Sequence, residues 1–134
     1  MKTSVIIAAY NAQETVGECL RSIANQSFKD FEAIVVDDES TDRTAEVAKE
    51  FPKVRVLRQK HAGPAVARNL GAKAAKGRIV VFTDSDCIAE KNWLAEMLKP
   101  FDDASIAGVQ GRYKSRQKEI VARLQLLKEV CRRR

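Results

Sequence analysis

At 134 residues, 45% apolar and 31% charged, the chain has the length and composition of one globular domain with its own core, and its opening apolar run of five residues is too short for a signal peptide or a membrane span. Three widely spaced cysteines, Cys19, Cys87 and Cys131, with no Cys-x-x-Cys pattern, support neither a disulfide framework nor a zinc site, and a reducing cytoplasm is the simplest setting. The net charge of +6 is local, since residues 1–111 hold 15 Lys and Arg against 16 Asp and Glu while residues 112–134 hold nine against two; the basic tail is suited to a solvated helix face or an anionic membrane face, and with no recognised nucleic-acid motif in it, nucleic acid is not an expected partner.

Strands and helices are expected to alternate, the pattern of a doubly wound α/β sheet with helices on both faces. A first strand over residues 3–9 is followed by Val16, Leu20 and Ile23 at helical spacing, with Glu14, Glu18 and Arg21 left to solvent. A strand over 32–37 leads to a helix from Asp42 to Phe51, stopped by Pro52. After a strand over 54–58, a helix runs from Pro64 to Lys76, with Pro64 in its first turn and Gly77 as its stop. A strand over 78–83 precedes a helix around Trp93, Leu94, Met97 and Leu98, which ends near Pro100, and a fifth strand covers 106–112. The segment from Gln117 to Cys131 places Ile120, Leu124, Leu127 and Cys131 on one helical stripe. Such a stripe must be covered by the rest of the fold, by a membrane interface, or by a second copy of the chain through residues 117–131.

Three apolar runs end in polar residues: Ser4–Asn11, Ala33–Thr41 and Ile79–Cys87. In open α/β sheets ligands collect at the carboxyl ends of parallel strands, where the loops diverge and leave unpaired backbone groups. The pair Asp84 and Asp86, directly after Ile79-Val80-Val81-Phe82, suits a divalent cation that holds a diphosphate. An isolated Asp-x-Asp is a weak signal, but its place at a strand end, with Asp37-Asp38 at another, makes it stronger. Arg68, near a helix start, can fork onto a phosphate or a base. His61 is the only histidine, and a solvated loop residue is the plainer reading of it than a catalytic or metal-binding one.

These motifs carry a resemblance. Tyr10-Asn11 after the first strand, Asp37-Asp38-Glu39-Ser40-Thr41-Asp42, Gly63-Pro64-Ala65-Val66-Ala67-Arg68-Asn69-Leu70-Gly71 and Asp84-Ser85-Asp86 occur in the order and spacing of the amino-terminal half of a family-two glycosyltransferase of the GT-A fold. The similarity runs from about residue 3 to about residue 113. One departure is Glu39, where the family often has glycine. The resemblance implies a Rossmann-like GT-A sheet, incomplete on the acceptor side, with residues 1–113 as the nucleotide-sugar-binding part and 114–134 as a basic amphipathic helix opening the acceptor half.

It also implies a function: transfer of a sugar from a nucleoside diphosphate, UDP by family habit, to an acceptor, by a metal-dependent inverting displacement. The backbone near Ala8 and the ring of Tyr10 would border the base, and Asp38 would accept a hydrogen bond from a ring N–H. Arg68 would serve the nucleotide, Asp84 the ribose or the metal, and Asp86 would bind Mn²⁺ or Mg²⁺ directly. Asp37, pointing the other way from Asp38, reads as structural. Asp102 and Asp103 read as turn residues, so the catalytic base is expected beyond residue 134, and many relatives reach a membrane through later helices. The rival reading is a non-catalytic sugar-nucleotide-binding fragment. A dinucleotide-binding domain is disfavoured because no Gly-x-Gly-x-x-Gly follows the first strand.

Overall fold

Near-continuous apolar runs, buried on both faces, form the strands at the centre of the sheet. The computed structural model describes residues 3–112 and 127–132. In chain order the elements are β1 (Thr3–Ala9), α1 (Val16–Ala24), β2 (Phe31–Asp37), α2 (Thr44–Lys49), β3 (Val54–Arg58), α3 (Pro64–Ala74), β4 (Ile79–Asp84), α4 (Trp93–Leu98), a 3-10 turn (Lys99–Asp102), β5 (Gly108–Arg112) and β6 (Leu127–Arg132). The sheet order is β3-β2-β1-β4-β6-β5. The first four strands are parallel, and β6 runs antiparallel to both β4 and β5.

Alternation along β1 and its neighbours divides the core between the two faces. Val5, Ile7 and Ala9, with Val35 and Val81, meet Val16, Cys19, Leu20 and Ile23 of α1 and Leu94 and Met97 of α4. On the other face Ile6, Ile34, Val36 and Val80 meet Ala67 and Leu70 of α3. The helix α3 lies close because Gly71 faces the sheet: a Cβ there would stand 2.4 Å from Ile6 Cγ2. The helix ends at Ala74, two residues short of the expected Lys76, because the extended Ala75 and not Gly77 stops it; Gly77 is needed instead where the chain passes the sheet, since a Cβ there would stand 2.5 Å from the Ser4 backbone nitrogen.

The chain passes from β1 outward through β2 to β3, then crosses back to place β4 on the other side of β1. This reversal is the topological switch point, where the flanking loops part. Ala8 is in register with Val36 on one side and Asp84 on the other, so the three polar segments leave the sheet at the same edge.

The last strand corrects one expectation. From Leu127 the chain is not the helix read over 117–131 but β6, seated between β4 and β5, with Val130 opposite Val81 and Val109. Leu127 and Cys131 are four residues apart, a spacing that satisfies the period of two as well as that of 3.6. The open edge of β4 decides the matter, since β6 gives its backbone groups hydrogen-bonding partners. The remainder of the 117–131 stripe, and the self-association read from it, lies outside the described residues.

Candidate functional site

A cleft of about 410 Å³ opens at the switch point, lined by Ala8, Tyr10, Asn11, Ala12 and Thr15 from the β1 side, Pro64 and Arg68 from α3, and Asp84, Ser85 and Asp86 from the end of β4. Of the residues expected from sequence, Ala8, Tyr10, Arg68, Asp84 and Asp86 meet here. Asp38 does not line the cleft.

The β1 wall is held by hydrogen bonds to the loop after β2. Asn11 N–H donates to Ser40 Oγ at 2.9 Å, Ala12 N–H to Thr44 Oγ1 at 2.7 Å and Gln13 N–H to Asp42 Oδ2 at 3.1 Å, while Thr41 N–H donates to Asn11 Oδ1 at 2.9 Å. Asn11 adopts a left-handed φ of 46°, which asparagine tolerates better than most residues. Burial opposes the charge on Asp42, but the hydroxyl and amide of Thr44 and the amide of Gln13 outweigh it and hold its carboxyl below the usual value of 3.8. The backbone amides around Tyr10 are thereby fixed, and the ring of Tyr10 is left 49% exposed.

At the opposite wall Arg68 Nη2 donates to Asp84 Oδ1 at 2.9 Å, and the two side chains are each 32% exposed. Arg68 therefore lies in the cleft wall, paired and one-third exposed. Ligand atoms of Asp84, Asp86 and Cys87 fall within 4.8 Å of one another. The carboxylates fit a hard cation such as Mg²⁺ or Mn²⁺, which takes oxygen ligands and completes its shell with water or phosphate. The soft thiol of Cys87, 3.6 Å from Asp86 Oδ1, fits such an ion poorly.

Neither of the paired acids at the end of β2 lines the cleft. Asp37 is fully buried, accepts from the Ser40 amide at 3.2 Å and lies 3.3 Å from Arg58 Nε, a structural role as read from sequence. Asp38 is 2% exposed, and its carboxylate accepts from Gln59 Nε2 at 2.6 Å, from the Ala62 amide at 2.9 Å and from the Gly63 amide at 2.9 Å. Burial raises its pKa, but these donors and the neighbouring His61 prevail and hold it below 3.8. His61 stacks on Tyr10 with ring centroids 4.5 Å apart. Asp103 Oδ1 accepts from the Ser105 amide at 2.8 Å, a turn contact as expected.

Sequence reasoning passed over Ala12, Thr15, Pro64 and Ser85 as cleft residues, and Gln59 as a partner of Asp38. Ser85 was flanked by two residues already singled out; for Gln59, at the end of β3, no motif gave a signal.

A parallel sheet with a cleft at its switch point, walled by an arginine on a helix and two aspartates at a strand end, defines an α/β domain of the GT-A class. A model of the family described as "Glycosyl transferase family 2" matches residues 4–130, and the chain belongs to that family. It is 43% identical over 89 residues to the uncharacterized glycosyltransferase YibD of Escherichia coli, an alignment covering 63% of this chain and 26% of that protein. It is 36% identical over 126 residues to the poly(ribitol-phosphate) beta-N-acetylglucosaminyltransferase TarS of Staphylococcus aureus, covering 84% of this chain and 22% of TarS. Among solved structures, residues 1–349 of S. aureus TarS with UDP superimpose with a TM-score of 0.80 at 31% identity, over 90% of this chain and 38% of that one. The mannosyltransferase PcManGT of Pyrobaculum calidifontis, in complex with GDP-Man and Mn²⁺, gives a TM-score of 0.78 at 29% identity, over 84% of this chain and 35% of its own. The chain thus spans well under half the length of these relatives. Among the described residues no helix is long and apolar enough to cross a membrane.

Proposed function

We propose that these residues form the donor-binding part of a glycosyltransferase that moves a sugar from UDP to an acceptor by an inverting, cation-dependent displacement. The observation that carries the reading is the cleft itself, in which Arg68, Asp84 and Asp86 converge at the β1–β4 switch point. Similarity to TarS, solved with UDP and with UDP-GlcNAc, favours uracil as the base. The Mn²⁺ in the PcManGT complex favours a divalent cation.

In this reading the backbone at Ala8 and the ring of Tyr10 border the base, and Asp38, a buried anionic acceptor, reads a ring N–H. Such an acceptor discriminates, because a base without the donor leaves a desolvated carboxylate unpaired. Arg68 presents its guanidinium to the phosphates while its ion pair with Asp84 fixes its direction. Asp86, with Asp84 beside it, would hold the cation. The cation, when bound, supplies positive charge to the departing diphosphate. A carboxylate that deprotonates the acceptor hydroxyl is assigned to no described residue.

The test is thermal melting with UDP in the presence and absence of Mn²⁺ or Mg²⁺. Ligand at a hundredfold excess over its Kd stabilises the folded state by about 2.7 kcal/mol. That gain is expected to need the metal in the wild type and to disappear in Asp86→Ala, which should otherwise melt normally. Equal UDP-dependent shifts in both proteins would refute the assignment.

A further inference from the structure

The carboxylate of Asp38 is fully engaged. Besides Gln59 Nε2, Ala62 N–H and Gly63 N–H, it has His61 Nδ1 at 3.0 Å from Oδ2. An ionised carboxylate offers about four lone-pair sites. Any further donor must therefore displace one of these four. Two are backbone amides leading into α3, which cannot leave without moving the helix. The imidazole is less constrained, because its side chain is 53% exposed.

Two acceptors converge on His61 Nδ1, namely Asp38 Oδ2 at 3.0 Å and the Asp38 carbonyl oxygen at 3.2 Å. Both are acceptors, so Nδ1 carries the hydrogen. The same ring lies over Tyr10, its centroid 4.5 Å away and its plane inclined by 36°. A nitrogen against the Asp38 carboxylate and a ring on Tyr10 are the two contacts assigned above to the nucleobase, and the imidazole stands in both places, its Nδ1 3.0 Å from Asp38 Oδ2 while hydrogen-bonded to the Asp38 carbonyl.

We infer that His61 belongs to the base subsite: its imidazole occupies the place of the base until a nucleotide displaces it, and so sets the affinity and pH dependence of nucleotide binding. The inference rests on Asp38 and Tyr10 as the base contacts. Only molecules with the ring displaced can bind, so apparent affinity is reduced by their fraction. With a charged ring the contact to Asp38 becomes a full ion pair and holds the ring more firmly. The charged and titratable groups around the ring are the Asp38 carboxylate, Glu39, whose Oε2 accepts the His61 amide at 3.0 Å, the Tyr10 phenol, and Lys60 next in the chain.

Uridine is the probe, because it carries no phosphate to titrate. His61 is the only histidine, so its ring signals in an NMR spectrum are assigned without ambiguity. Saturating uridine is expected to shift them as the ring leaves Tyr10. Wild-type affinity for uridine is expected to fall roughly 3- to 10-fold between pH 8 and 5.5, in the range where imidazole titrates. His61→Ala is expected to bind uridine and UDP roughly 3- to 30-fold more tightly at neutral pH, since one hydrogen bond and one ring contact no longer compete. It should also bind uridine with no pH dependence over that range. His61→Phe, which keeps a ring for Tyr10 but cannot donate to Asp38, is expected between the two and equally insensitive to pH. Unchanged or weaker binding by His61→Ala would overturn the inference alone. Failure of the wild type and both variants to bind either ligand would overturn the reading of Asp38 and Tyr10 as well.

Discussion

Replacing Gly71 by alanine tests whether the close approach of α3 to the sheet positions the site. The added Cβ would stand 2.4 Å from Ile6 Cγ2 and 3.1 Å from Val36 Cγ2, against the ~3.5–4.0 Å at which carbon atoms pack favourably. Ile6 is fully buried and β-branched, so it has little rotamer freedom with which to withdraw. Overpacking of this kind typically costs about 1–3 kcal/mol, and alanine recovers about 1 kcal/mol of helix propensity over glycine. With a contact this short the upper part of the range applies, leaving a net loss of roughly 1–2 kcal/mol and a Tm lower by roughly 4–10 °C. The helix can relieve the clash only by lifting from β1, and Arg68 lies one turn earlier on it, so the guanidinium is displaced from Asp84. UDP affinity measured by calorimetry well below the Tm is therefore expected to fall too, whereas the exposed Lys73→Ala should change neither quantity. A Gly71→Ala protein with an undiminished Tm and wild-type UDP affinity would refute the argument.

Two further outcomes follow from the site. Arg68→Lys keeps the charge but loses the planar fork that reaches Asp84 at 2.9 Å; it is expected to weaken UDP binding by about tenfold while changing stability by less than about 1 kcal/mol, because the pair is one-third exposed, and unchanged affinity in calorimetry would refute the role of the fork. The carboxyls of Asp38 and Asp42 have folded-state pKa values below 3.8, so the stability they contribute is complete above that value and is lost as pH falls through the lower folded values. The Tm is expected to hold from neutral pH to about 5 and drop below about 4. Asp42→Asn should be less stable at pH 7 yet lose less on acidification, and a drop as steep as that of the wild type would refute the contribution of Asp42.

The parallel part of the sheet was legible because its central strands are apolar on both faces and its helices carry plain starts, as at Pro64. The order of polar strand ends then located the cleft. The segment 127–132 was misread because its pattern is local and its conformation is not: what makes it a strand is the open edge of β4, which lies some fifty residues earlier in the chain. Asp38 illustrates a different limit. A carboxylate at a strand end can be recognised in sequence, but the identity of its donors cannot, since Gln59, Ala62 and Gly63 reach it from beyond β3.

Glu39 and His61 bring these strands of argument together. Glu39 stands where the family often has glycine, and its φ of 62° lies in the left-handed region that glycine enters freely and other residues enter at roughly 1–2 kcal/mol. A glycine there would relieve that strain but would have no side chain. The Glu39 carboxylate uses its position to accept the His61 amide at 3.0 Å, anchoring the loop whose ring then lies on Tyr10 and whose Nδ1 meets Asp38. The backbone strain at residue 39 is thus offset by a contact that orders residue 61, and the departure from the family pattern and the lone histidine belong to one local arrangement. On the proposed reading, a group of the protein's own covers the Asp38 carboxylate, which accords with its burial and its absence from the cleft wall.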